Sequence, residues 1–120
     1  MSRRIFALAT AALAVGAVAA GWGSAALPKL VGEVGPGFTI EVTMNGKDVK
    51  SLKAGTYSLT VQDKSAIHNF HLIGPGLNKV VTRVPFVGTK TVTVKLRKGK
   101  YTYKCDPHAA SGMKGSFIVK

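Results

Sequence analysis

The 120-residue chain reads as an all-β protein: a Greek-key β-sandwich of about seven short strands, preceded by an N-terminal signal segment. Three observations predict this. Apolar and polar residues alternate over short stretches, and glycine and proline punctuate those stretches at close intervals. No amphipathic helix of useful length follows the first 26 residues.

Ser2-Arg3-Arg4 supplies positive charge, residues 5–21 are apolar, and Ser24-Ala25-Ala26 puts small residues where a signal peptidase cleaves. Residues 1–26 are therefore the expected signal peptide. The apolar run of about 17 residues falls just short of a comfortable membrane span; left uncleaved, it would be an anchor. Ser2-Arg3-Arg4-Ile5-Phe6 is also similar to a twin-arginine export signal. Either export route leads to a periplasmic, extracellular or cell-surface location. Cleavage would leave about 94 residues, remove the lone Trp22, and lower the formal charge from +12 to about +10.

Residues 27–37 contain Pro28, Gly32, Gly35, Pro36 and Gly37 and read as a flexible lead-in, with one domain over 38–120. The first strand, 38–44, places Phe38, Ile40, Val42 and Met44 on one face and ends at the turn signal Asn45-Gly46. Further strands are expected over 57–61, 66–73, 80–84, 89–96, 101–105 and 116–119. Leu52-Lys53-Ala54-Gly55-Thr56-Tyr57 is echoed by Leu96-Arg97-Lys98-Gly99-Lys100-Tyr101. In both, a tyrosine just inside a strand can bury its ring and tie the corner with its hydroxyl, a structural feature with no chemistry of its own.

A single cysteine, Cys105, excludes an intramolecular disulfide. An unpaired thiol in an exported protein is open to oxidation, so it calls for a reason such as metal ligation. The lysines are dispersed from Lys29 to Lys120 without a dense run, and only Arg83 and Arg97 remain after processing. That argues against nucleic acid. A redox protein with an acidic docking surface fits the charge, as does an anionic membrane surface. A monomer is expected.

The chemistry lies in two segments, Ile67-His68-Asn69-Phe70-His71-Leu72 and Cys105-Asp106-Pro107-His108-Ala109-Ala110-Ser111-Gly112-Met113. A thiolate, two imidazoles and a weak axial thioether make a trigonal copper site suited to electron transfer. Cys105, His108 and Met113 would come from one loop and the second histidine from a distant strand. Strand alternation puts His68 with Phe70 and Leu72 on the core face and His71 on the outer face, which favours His68 as the ligand. Pro107 has no N–H to give the Cys105 sulfur, which leaves more charge on it and favours Cu(II), lowering the reduction potential.

From about Thr56 to Val119 the chain resembles a cupredoxin of the plastocyanin/azurin family. His68-Asn69 followed by alternating apolar residues is similar to the family's first-ligand strand. Cys105, His108, Met113, Gly115 and Phe117 are spaced as in plastocyanin and pseudoazurin rather than azurin. Gly74-Pro75-Gly76, the basic surface and His71 depart from the pattern and suggest a small bacterial-type member, not an acidic photosynthetic carrier. The resemblance implies the family fold, one copper bound by His68, Cys105, His108 and Met113, and one-electron transfer. It also implies that the Asn69 amide donates to the sulfur and its side chain braces the loop, with His108 at the exposed end.

A carrier of single electrons is the function this implies. Copper storage, delivery or tolerance would use the same ligands, with release to an acceptor in place of fast redox cycling. An enzyme is not expected, because only His71 is left over to build a second metal centre.

Overall fold

The computed structural model describes residues 26–120; the expected signal segment lies outside them but for Ala26. The first sheet holds β1 (Lys29–Val34), β2 (Ile40–Met44), β3 (Lys47–Asp48), β5 (Gly55–Asp63) and β8 (Gly88–Leu96), in the order β3-β2-β1-β5-β8. The second holds β4 (Ser51–Leu52), β6 (Phe70–Gly74), β7 (Leu77–Thr82), β9 (Gly99–Lys104) and β10 (Lys114–Val119), in the order β4-β10-β9-β6-β7. This is the expected all-β sandwich, cut into more pieces than the sequence suggested.

The lead-in is the main correction. Residues 29–34 form a central strand, pairing antiparallel with β2 and parallel with β5. Leu30 and Val34 bury their side chains, and Gly32 between them is buried as well. A Cβ on Gly32 would lie 2.8 Å from the Phe70 ring. The glycine that suggested a tether marks close packing instead.

The Asn45-Gly46 turn forms as expected, with Asn45 at φ 52° and Gly46 at φ 79° closing the hairpin of β2 and β3. Both tyrosine corners are present. The Tyr57 hydroxyl donates to the Lys53 carbonyl at 2.7 Å. That of Tyr101 donates to the Pro75 carbonyl at 2.7 Å and accepts the Arg97 amide at 2.9 Å.

The inward faces alternate as period-two strands require. Tyr57, Leu59 and Val61 of β5 face Phe70 and Leu72 of β6, with Tyr101 and Tyr103 of β9 and Phe117 of β10 completing the core. The rings of Tyr101, Phe117, Tyr103 and Phe70 stack in turn at 5.6 to 6.3 Å. Strand directions then fix the site. β1, β5, β7 and β9 all run towards one end, where the loops 35–39, 64–69, 83–87 and 105–113 gather. All the expected ligands lie in two of those four loops.

Candidate metal centre

His68 does not lie on a strand. β6 begins only at Phe70, and its pairing with β7 shifts register between Phe70 and His71. The residues before it turn back, the His68 amide reaching the Ser65 carbonyl at 3.3 Å. That turn, not strand alternation, carries the imidazole inward until His68 is fully buried. His68 thus reaches the interior by a turn, and strand alternation, the reason given for expecting it there, does not apply.

The second ligand loop is a short 3₁₀ helix, Asp106–Ser111, between β9 and β10. Pro107 stands in its first turn, where a missing N–H leaves no hydrogen bond unmade. The loop closes on itself. The Cys105 amide donates to the Met113 carbonyl at 3.1 Å, and the Met113 amide to the His108 carbonyl at 3.2 Å. Gly112 turns the chain with φ 98°, a left-handed conformation that side chains disfavour. Cys105 and Met113 are buried and His108 is half-buried.

Three donor atoms converge. His68 Nδ1 lies 3.1 Å from His108 Nδ1, and the Cys105 sulfur lies 3.6 Å from the former and 3.4 Å from the latter. They form a cluster able to hold one metal ion. Atoms so spaced share a centre about 2 Å from each, close to the bonds a first-row metal makes with imidazole and thiolate. The residues present therefore fit the metal. The donor state agrees as well. His68 Nε2 lies 2.8 Å from the Gly37 carbonyl, which can only accept. The ring hydrogen therefore sits on Nε2 and the Nδ1 lone pair faces the cluster.

Several contacts here were not legible in the sequence. Phe38, expected in a strand on one face with Ile40, Val42 and Met44, lies in the β1–β2 loop and is 64% exposed. Its ring stands edge-on to His68 at 5.2 Å and to His108 at 4.7 Å, shielding both imidazoles from one side. Asp106 is the other. Asn69 Nδ2 donates to its carboxylate at 2.9 Å, and the Asp106 amide donates back to Asn69 Oδ1 at 2.7 Å. The Asn69 side chain thus braces the loop as the resemblance implied. Its amide is not among the groups in hydrogen-bonding range of the sulfur within the described residues; those are the two imidazoles.

His71, left without a role by the sequence, joins the same brace. Its Nδ1 lies 3.0 Å from both Asp106 oxygens and its Nε2 2.6 Å from the Asn78 side chain. Lys104 adds a weaker contact at 3.7 Å. Partial burial pushes the Asp106 carboxyl up. Hydrogen bonds from Asn69 and His71, with the charges of His71 and Lys104, outweigh that and hold it below its ordinary value. The residue after the thiolate is thereby fastened to β6 and β7.

The comparisons agree with this geometry. A profile described as copper binding proteins, plastocyanin/azurin family, matches residues 38–120. Among solved structures, a copper protein rusticyanin matches with 27% identity and a TM-score of 0.57, over 77% of this chain and 76% of that one. Rusticyanin from Thiobacillus ferrooxidans matches with 28% identity and a TM-score of 0.52, over 77% and 76%. Reduced rusticyanin matches with 28% identity and a TM-score of 0.53, over 77% and 78%. No curated protein matches the chain. With His68 and Cys105 buried beside a half-buried His108 at the loop end of a two-sheet sandwich, the chain belongs to the plastocyanin/azurin family of copper-binding proteins and holds one copper ion.

Proposed function

We propose that this protein is an exported carrier of single electrons, not an enzyme, with Met113 as the weak fourth ligand to a type 1 copper. The observation that carries the reading is three donor atoms already brought together and held from behind, two of them in a loop that also carries Met113. His68 is fixed through Gly37, Cys105 through the Asp106 brace, and His108 and Met113 through the closed loop. Copper supplies the change of valence between Cu(I) and Cu(II). The chain's residues keep the donors in place through that change, so that little rearrangement is needed. Cys105 gives up its proton to bind, so affinity should fall as the solution is acidified.

His108 is half-buried at the loop end, with the exposed Phe38 ring 4.7 Å from its own, and offers a way out for an electron. A redox protein would dock there over an apolar centre. The chain's net positive charge would steer an acidic one at low salt, where screening is weak, while the contact itself is apolar. A storage or delivery protein would need ligands that open to an acceptor, and a braced, buried cage supports that reading less well. Export rests on the N-terminal pattern, and a processed protein without Trp22 would show no tryptophan fluorescence.

Titrating purified copper-free protein with Cu(II) and recording the visible spectrum tests the site. An intense thiolate-to-copper band that saturates at one equivalent and vanishes in Cys105→Ser is the expected result. A colourless, weakly held ion would end the reading. Fast self-exchange with slow copper release would mark a carrier, and ready transfer of Cu(I) to a chelating acceptor would mark a delivery protein.

A further inference from the structure

Six of the cations dispersed along the sequence come together at one end of the sandwich. Gly55 at the start of β5 pairs with Leu96 at the end of β8, and Gly99 of β9 with Val119 of β10. The Lys120 amide donates to Leu52 and its carbonyl accepts from Ala54. These pairings draw Lys53, Lys95, Arg97, Lys98, Lys100 and Lys120 to the end of the sandwich opposite the copper ligands. All six are exposed, and among the described residues none is in an ion pair.

The carboxylate side chains are segregated the other way. Glu33 and Glu41 pair with each other near the far end of their strands, Asp63 ends β5, and Asp106 lies in the ligand loop. Asp48 sits beside Thr43, nearer the middle. No Asp or Glu side chain of the chain reaches the basic pole.

The same pole receives the N-terminal segment. β1 runs parallel to β5, and the Pro28 carbonyl accepts the Ser58 amide, so residues 26–28 approach from the basic end. Ahead of them the sequence carries the apolar run 5–21. A cluster of cations free of Asp and Glu side chains, entered by residues 26–28 that follow an apolar run in the sequence, is the combination that seats on an anionic bilayer. We propose that this pole is a membrane-facing surface that binds anionic lipid headgroups and holds the copper end pointing away from the bilayer. Retained, the apolar run would anchor the same pole; removed, the cations alone would make the contact. The copper reading is not needed for this inference.

The test is partition of the full copper-loaded chain onto vesicles of phosphatidylcholine with and without about 30% phosphatidylglycerol, at low and physiological salt. The ratio between the two vesicle types isolates the pole from any insertion of the apolar run. Wild type should favour anionic vesicles, and Lys53→Glu, Lys98→Glu and Lys100→Glu together should lower the ratio by about tenfold or more. Reversing Lys64, Lys79 and Lys114 instead, an equal change in net charge, should lower it by less than about threefold. Equal losses in the two triple variants would show a net-charge effect and overturn the proposal. So would tight binding of the pole to polyglutamate without preference for anionic vesicles, which would assign it to an acidic protein. Reduction of the copper by ascorbate should proceed at the same rate on and off the vesicles. A rate suppressed on the membrane would overturn the orientation.

Discussion

At the scale of single residues, the site depends on groups that never touch the metal. Asp106 accepts hydrogen bonds from Asn69 and His71 while its own amide is tied to Asn69. Removing the carboxylate in Asp106→Ala leaves the buried Asn69 amide group without an acceptor. The Asp106 side chain is 41% exposed, so water screens its charge interactions, and the expected loss of stability is about 1–2 kcal/mol. Denaturant unfolding of the copper-free protein measures that loss, and chelator challenge of the copper form should show faster release. His71→Phe should share part of the effect, while His71→Asn, which keeps a donor near the Nδ1 position, should restore it; equal behaviour of the two variants would exclude the brace. The pH dependence has a definite sign. Asp106 faces the titratable His71 and Lys104, and its folded value is lowered. Its contribution is therefore present above the ordinary carboxylate value near 4 and lost as pH falls through the lowered one. The stability gap between wild type and Asp106→Ala should narrow below about pH 4.

At the scale of elements, β1 shows what a sequence pattern hides. Glycine and proline between 27 and 37 suggested a tether, yet Gly32 is buried because the Phe70 ring lies against it. Gly32→Ala would place a methyl group 2.8 Å from that ring and 3.2 Å from the Val61 side chain of β5. Overpacking of this kind costs about 1–3 kcal/mol. An unfolding midpoint unchanged from wild type would show that the sheets can separate freely there. The seven strands expected from alternation are all present, because alternation and turn residues are local signals. The two-residue strands β3 and β4 are too short to leave one. The His68–Cys105–His108 cluster was legible because Cys105 and His108 share one loop with a fixed spacing and His68 stands in the one other histidine segment. The brace was not, because Asn69 and His71 meet Asp106 across 37 and 35 positions, a pairing that only the folded register creates. Phe38 was misread for the opposite reason. It continues the alternation of β2 two residues before the point where the chain enters the sheet.

At the scale of the whole molecule, net charge and local charge say different things about how a redox reagent meets the copper end. The sequence carries +12, but near the ligands Lys64 is paired with Glu33 at 3.2 Å and Lys104 approaches Asp106. The six cations of the opposite pole lie about a nine-residue strand away, roughly 30 Å. That is several Debye lengths at physiological salt, where screening acts over about 8 Å. A reagent at His108 should therefore sense an almost balanced surface. Reduction by an anionic and by a cationic one-electron reagent should change in opposite directions with salt, each by less than about threefold between 0.1 and 0.5 M. Stopped-flow traces at the thiolate band read this directly. Lys64→Glu should shift the salt dependence measurably, and Lys98→Glu should leave it where it was. If Lys98→Glu moved it as far as Lys64→Glu, the copper end would be responding to the charge of the whole protein, and the separation of poles would have no bearing on electron transfer.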